Sequence, residues 1–231
     1  MSPRVRRSQA DSKKRLSRSR SSNNNSKSLT GVQDPLEVLL RRYIDDFVDH
    51  NKAARVVCDG LRVLGIGLRP IVDHITFRTL EVEKRAREFC KYGYQYDAEV
   101  GVIEYTNWWA KVYRKTGYPA IFIDQAYDGK RGAGSLIPDW VRSFGDKVLH
   151  HVAILVDDIE RAVYFLEKQG VPFAGSIVGA RGTDLRQIFT TPEMANGKAF
   201  SVLELTERHR GYAGFLPPQA DGLMESTRLP Y

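Results

Sequence analysis

The sequence predicts an α+β fold in which two βαβββ modules form a curved, partly closed mixed sheet around a cavity, preceded by helices. Three observations predict it. The order strand, helix, strand, strand, strand occurs twice, once from about residue 71 and again from about residue 149. The first strands of the two runs, VDHITFRTL and LHHVAILVD, match in register and carry a histidine near the head of each. Between and before the runs lie turn residues and an amphipathic helical stretch, so the repeats are separate units of one core.

Residues 1–30 form a basic tail. Nine of the 35 Lys and Arg residues fall there against Asp11 alone of the 28 acids, so the overall charge of +7 belongs to the tail and the remaining body is close to neutral. With almost no large apolar residue to bury, the tail is expected to be disordered. Its Arg and Ser richness suits an organellar transit peptide, a nuclear localisation patch, a polyanion-binding arm or a plain solubilising extension. A neutral body gives no reason to expect a specific nucleic-acid partner. No apolar run approaches the ~18 residues that a membrane span needs. Cys58 and Cys90 form no CxxC pair and read as core thiols of a protein in a reducing compartment. The expectation is therefore a cytoplasmic protein, with mitochondrial or plastid import through the tail as the alternative.

Residues 31–70 are a helical segment. Asp34 and Pro35 occupy cap and first-turn positions, and Leu36, Leu39, Leu40, Tyr43, Ile44, Phe47 and Val48 recur at helical spacing, which predicts one or two helices. Residues 71–148 make the first module with its linker: a strand over 71–79, a helix over 82–92 closed by Gly93, and strands in YQYDAEVGVIEY, WWAKVYRK and YPAIFIDQA. The linker holds Gly129, Gly132, Gly134 and Pro138. Residues 149–231 make the second module and a C-terminal extension, with strands in LHHVAILV, VPFAGSIVG, LRQIFTTP and KAFSVLELTER and a helix in DDIERAVYFLEKQG.

Polar residues on otherwise apolar strands mark the candidate site. Strict alternation puts Val72, His74, Thr76 and Arg78 on one side of the first strand, and His151 matches His74 in the second module, whereas His150 falls on the other face. Glu204 stands among apolar neighbours in FSVLELTER, where a carboxylate needs a cation, a metal or a salt bridge to Arg208 or Arg186. Two imidazoles and one carboxylate on a rigid sheet are the facial set that binds Fe(II) and leaves positions open, although Mn, Co, Ni or Zn use the same ligand types. Arg78, on His74's side of the strand, suits a carboxylate through paired hydrogen bonds, which points to an acidic, dicarboxylic substrate. Arg186 and Gln187 alternate faces, so one of them points inward, and Gln187 would serve there as a donor to a bound oxo acid. Trp108 and Trp109 are read as packing residues, and Tyr113 and Tyr118 as candidate lining residues.

These residues resemble the vicinal-oxygen-chelate superfamily and, within it, the 2-oxoadipate dioxygenase/decarboxylase (hydroxyglutarate synthase) family. The similar stretches are VDHITFRTL, FCKYGYQYDAE, LHHVAILVDDIERAVYFLEKQG, LELTER and GFLPPQADGLMEST, covering about residues 35–227. The resemblance implies His74, His151 and Glu204 as Fe(II) ligands and Arg78 as a substrate-binding residue. A more distant similarity to 4-hydroxyphenylpyruvate dioxygenase implies Gln187 facing the oxo acid. The implied activity is an Fe(II)-dependent dioxygenase that takes a 2-oxo acid and O2 through oxidative decarboxylation and hydroxylation, in the adipate case 2-oxoadipate to 2-hydroxyglutarate. Two alternatives stand beside it. A redox-neutral metal isomerase or lyase of glyoxalase or epimerase type usually has a fourth protein ligand, for which Asp124 and Gln125 are the polar candidates. A non-catalytic binding module would leave the two histidines and Glu204 without a purpose. The oligomeric state is not legible in the sequence.

Overall fold

The computed structural model describes residues 34–227; the basic tail, with the disorder and targeting expected of it, lies outside the described residues. Helix α1 (Pro35–His50) starts where Asp34 accepts a hydrogen bond from the Leu36 amide at 3.0 Å. Its seven buried residues are those of the expected apolar stripe. Asn51 ends it and caps α2 (Lys52–Arg62), accepting from the Ala54 amide at 2.9 Å.

The first module comprises β1 (Val72–Arg78), α3 (Val82–Cys90), β2 (Gln95–Tyr96), β3 (Val102–Glu104), β4 (Trp108–Arg114) and β5 (Ala120–Ala126). A helix, α4 (Ile137–Phe144), follows. The second comprises β6 (His151–Leu155), α5 (Ile159–Lys168), β7 (Phe173–Val178), β8 (Leu185–Thr190), β9 (Glu193–Ala195) and β10 (Lys198–Arg208), with α6 (Pro217–Ser226) after it. Three departures from expectation have local causes. The stretch 94–105 splits into β2 and β3 because Asp97 accepts from the amides of Glu99 and Val100 and makes a turn. The linker folds α4 behind Pro138, with Ile137 and Trp140 buried. The C-terminal extension folds α6 behind Pro217.

The strands make one ten-stranded mixed sheet that does not close, in the order β2-β4-β5-β1-β6-β10-β8-β7, with β3 beside β4 and β9 beside β10. The two modules meet along the antiparallel β1–β6 pair, where His74 lies opposite Ala153 and Thr76 opposite His151. Away from that seam each module repeats the same sequence of neighbours. β1 pairs in parallel with β5 and β6 in parallel with β10, so the halves are related by an approximate twofold.

The sheet separates two cores. Ile75, Phe77, Ile121, Ile123, Val152, Ile154, Leu203 and Leu205 pack against the face that carries α1, α2, α3 and α5. Trp108, Ala110, Val112, Ala120 and Phe122 face the other way and pack with Ile137 of α4 and Met224 of α6. Each fully buried Leu, Ile or Phe contributes ~1.5–3 kcal/mol, enough for the first face to fix the register of the polar residues on the second. No helix among the described residues is long and apolar enough to cross a membrane.

Candidate metal centre

His74, His151 and Glu204 converge on the second face, all three buried. Glu204 Oε2 lies 3.5 Å from His74 Nε2 and 3.3 Å from His151 Nε2, and the two imidazole nitrogens are 3.3 Å apart. The three atoms form a near-equilateral triangle, and an ion ~2.1 Å from each would touch all of them. The donor set therefore fits one divalent cation.

The β1–β6 register places the histidines diagonally across the module seam, and β10 brings Glu204 beside Ala153. Each ligand is held at its far side. Glu204 Oε1 accepts from Gln187 Nε2 at 2.5 Å and from the Thr206 hydroxyl at 2.7 Å, which turns Oε2 toward the imidazoles. His74 Nδ1 donates to Asp73 Oδ2 at 2.7 Å, and Asp73 is fixed by Arg208 Nε and Nη2 at 2.8 and 2.9 Å. His151 Nδ1 lies 2.9 Å from His150 Nδ1, while its Nε2 meets the Thr76 hydroxyl at 2.7 Å. With the proton on Nδ1, the Nε2 lone pair of His151 faces the triad.

Charge is distributed unevenly over the three groups. Burial disfavours a charged His74, but Glu204 and Asp73 outweigh it and push the imidazole up to about 9. Burial takes His151 down to about 3, with Glu204 opposing and His74 assisting. Glu204 is raised by burial, yet His74, His151 and the Thr206 hydroxyl hold it below its ordinary value. One proton on His74 thus balances one carboxylate, and a bound cation would take over that proton's role.

The same face encloses a cavity of about 40 Å³ lined by the triad, Arg78, Tyr105, Trp108, Phe122, Asp124, His150, Phe189 and, from the C-terminal segment, Phe215, Ala220, Leu223 and Met224. Arg78, 2 % exposed, donates from Nη2 to Met224 Sδ at 2.8 Å and reaches Asp124 Oδ2 only at 3.8 Å from Nε. Gln187 lies against Glu204, and Arg186, on the opposite face, pairs with Glu160 and Glu207. Arg208 pairs with Asp73, so neither arginine neutralises Glu204.

Several expectations need correction. Val72 packs in the helix-side core and not beside His74, because a bulge between Val72 and His74 breaks the alternation. His150 lines the cavity, since it precedes β6 and is not bound by that strand's alternation. Trp108 lines the cavity too, stacked on Tyr105 with ring centroids 3.5 Å apart. Tyr113 and Tyr118 do not: they donate to Glu83 and Asp34 respectively. Asp73 was missed because the residue next to an inward histidine ought to point outward, and only the bulge brings it round.

The twofold decides what the first module contributes. His74 is beside Ala120 as His151 is beside Val202, so the counterpart of Glu204 is Phe122 and the counterpart of Thr206 is Asp124. Where a fourth ligand would stand, the chain has a phenylalanine.

No protein-family model matches the sequence, and no curated protein matches it. Solved structures do. A presumed hydrolase from Shewanella frigidimarina superimposes with a TM-score of 0.66 at 17 % identity, covering 79 % of this chain and 98 % of that one. Hydroxyglutarate synthase from Oryza sativa, in complex with 2-oxoadipate, gives 0.61 at 17 % identity over 83 % of this chain and 91 % of that one. A variant of 4-hydroxymandelate synthase from Streptomyces coelicolor gives 0.52 at 19 % identity, covering 69 % and 55 %. At such identities the likeness establishes the fold and leaves the reaction to the site.

Proposed function

We propose that this protein is an Fe(II)-dependent dioxygenase that decarboxylates and hydroxylates a 2-oxo acid, with 2-oxoadipate as the candidate substrate and 2-hydroxyglutarate as its product. The observation that carries the reading is the three-ligand set with Phe122 at the fourth position, which leaves a bound ion open to substrate and O2. Fe(II) held by two histidines and one carboxylate supplies O2-dependent oxidation. Asp73, Gln187 and Thr206 orient the ligands from behind. Arg78 seats the far carboxylate of the acid, because a thioether and a carboxylate at 3.8 Å leave most of its donors underused. Phe215, Leu223 and Met224 exclude water from above. The 71–148 and 149–231 modules would each supply one histidine, as the division of the sequence anticipates.

A second reading keeps the ion but not the O2 chemistry. Burial pushes the Asp124 carboxyl up to about 7 against the opposing charge of Arg78, a range suited to a proton-transferring base of an isomerase. Reconstitution with Fe(II) under nitrogen, followed by O2 uptake and CO2 release across a panel of 2-oxo acids, separates the two. Stoichiometric O2 consumption with CO2 release supports the dioxygenase; turnover without O2 uptake favours the isomerase.

A further inference from the structure

The end of the cavity away from the triad has three buried polar atoms without a hydrogen-bond partner among the described residues: Arg78 Nε, Tyr105 Oη and Asp124 Oδ1. All three side chains are at most 4 % exposed and line the cavity with the triad. Buried polar atoms are otherwise almost always paired, so three on one wall describe a ligand's counterpart. Arg78 and Asp124 sit opposite each other in the β1–β5 register. Yet Nε and Oδ2 remain 3.8 Å apart, too far for the hydrogen bond of a formed ion pair.

We propose that Asp124 binds substrate in its protonated form, so that Arg78, Tyr105 and Asp124 together present hydrogen-bond donors to one carboxylate, the far end of a dicarboxylic 2-oxo acid. The inference rests on the oxo-acid reading above and adds a specificity residue and a proton to it. An ionised Asp124 would set two carboxylates against each other in a buried space beside a single guanidinium. A neutral Asp124 turns the same wall into a site made only of donors. Burial already favours that neutral form. The approximate twofold supports a role specific to this end of the cavity: the counterparts of Arg78 and Asp124 in the second module are Leu155 and Thr206, which carry no such pair.

The charged and titratable groups facing Asp124 are few. From β1 comes Arg78, and from the turn between β3 and β4 comes Tyr105, whose hydroxyl is pushed well up by burial and then by the charge of Asp124. On α6, Asp221 is bonded to Thr106 and the Trp108 indole, and the nearer residue is Met224. On α4 the nearest aromatic, Trp140, does not titrate, and His150, just before β6, lines the same cavity with its imidazole held well below the ordinary value by burial and then by the charge of Arg78.

Calorimetric titration of Fe(II)-loaded protein under nitrogen tests this, in buffers of different ionisation enthalpy, with 2-oxoadipate and its uncharged-tail analogue 2-oxohexanoate as probes. Between pH 7 and 9, 2-oxoadipate affinity should fall with a slope that steepens to about tenfold per pH unit, and proton uptake on binding should rise toward one. Over the same range 2-oxohexanoate should bind with neither effect, which controls for groups at the metal end. Asp124→Asn keeps a donor at this position and should bind 2-oxoadipate at high pH without proton uptake, whereas Asp124→Ala should lose tenfold or more. Binding of both oxo acids by wild type with no proton uptake for 2-oxoadipate overturns the role of Asp124 alone, as does loss of 2-oxoadipate binding in Asp124→Asn with 2-oxohexanoate binding intact. Failure of wild type to bind either acid overturns the oxo-acid reading and this inference with it.

Discussion

Replacing Asp73 by Asn should weaken metal binding without removing any ligand. Asp73 accepts from His74 Nδ1 at 2.7 Å and from Arg208 Nε at 2.8 Å, so its carboxylate fixes both the ring orientation and the nitrogen left free for a cation. Asn keeps the shape and loses the charge and one acceptor. Partners of this kind are worth 10–100-fold in metal affinity, ~1.4–2.7 kcal/mol. Fold stability should fall as well. Breaking a buried pair costs ~3–5 kcal/mol, but Arg208 keeps the Gly214 carbonyl at 2.8 Å, so about 2 kcal/mol is the expected loss. Burial acts to raise the Asp73 carboxyl, and His74 and Arg208 overcome it to hold the group below its ordinary value. Its stabilisation is therefore present above the unfolded value near ~4 and is lost as pH falls through the native one. Urea unfolding at pH 7 should separate wild type from variant, and the gap should narrow in acid. Chelator competition on folded protein gives the metal affinity. An Asn variant that binds the ion as tightly as wild type would refute the reasoning, and the strand alone would then orient His74.

Three further outcomes are expected. His74→Ala, His151→Ala and Glu204→Ala should each abolish stoichiometric Fe(II) binding in a folded protein, checked by metal titration beside circular dichroism. Arg78→Ala should lose ~2–5 kcal/mol in kcat/KM on 2-oxoadipate and much less on 2-oxohexanoate, while Arg78→Lys should lose less than Ala. Asp124→Asn should stabilise the metal-free protein above pH 7 by roughly 3–4 kcal/mol at most and have little effect near pH 4. The reason is that burial, against Arg78, raises the carboxyl to about 7, so its stability is fully present below the unfolded value near ~4 and is lost progressively as pH rises from there to about 7; urea midpoints at pH 4 and 8.5 decide it.

The module plan was legible because its signals are local and redundant: period-two runs, helices ended by Gly93 and Gly170, and a second copy of the pattern. Glu204 stood out as a carboxylate among Val202, Leu203 and Leu205, and His151 by its match with His74. What escaped detection depended on irregular backbone or on distant segments. A one-residue bulge moved Asp73 to the cavity side and Val72 away from it. Helix α6 is masked in sequence by Pro217, Pro218 and Gly222, yet it supplies Leu223 and Met224 to the cavity. Nor does alternation apply to His150, which sits just before its strand. Period-two reasoning finds the residues inside a strand and fails at its ends.

Duplication explains why one cavity has two unlike ends. A strictly symmetric pair of modules would place a carboxylate at both 122 and 204 and surround a cation on four sides. Phe122 removes one of those positions, and its ring instead packs against His74 and Phe215, with centroids 6.2 and 5.0 Å away. Two residues further along β5, Asp124 takes the place that Thr206 has in the second module, where the threonine hydroxyl serves Glu204. The second module thus has at this pair of positions a carboxylate and the hydroxyl that orients it, while the first has an apolar wall and an acid facing Arg78. Symmetry of the backbone puts the two ends at a fixed separation set by strand register, and asymmetry of four side chains, Phe122 and Asp124 against Glu204 and Thr206, leaves one end with a donor set that fits a cation and the other with a buried arginine opposite an acid.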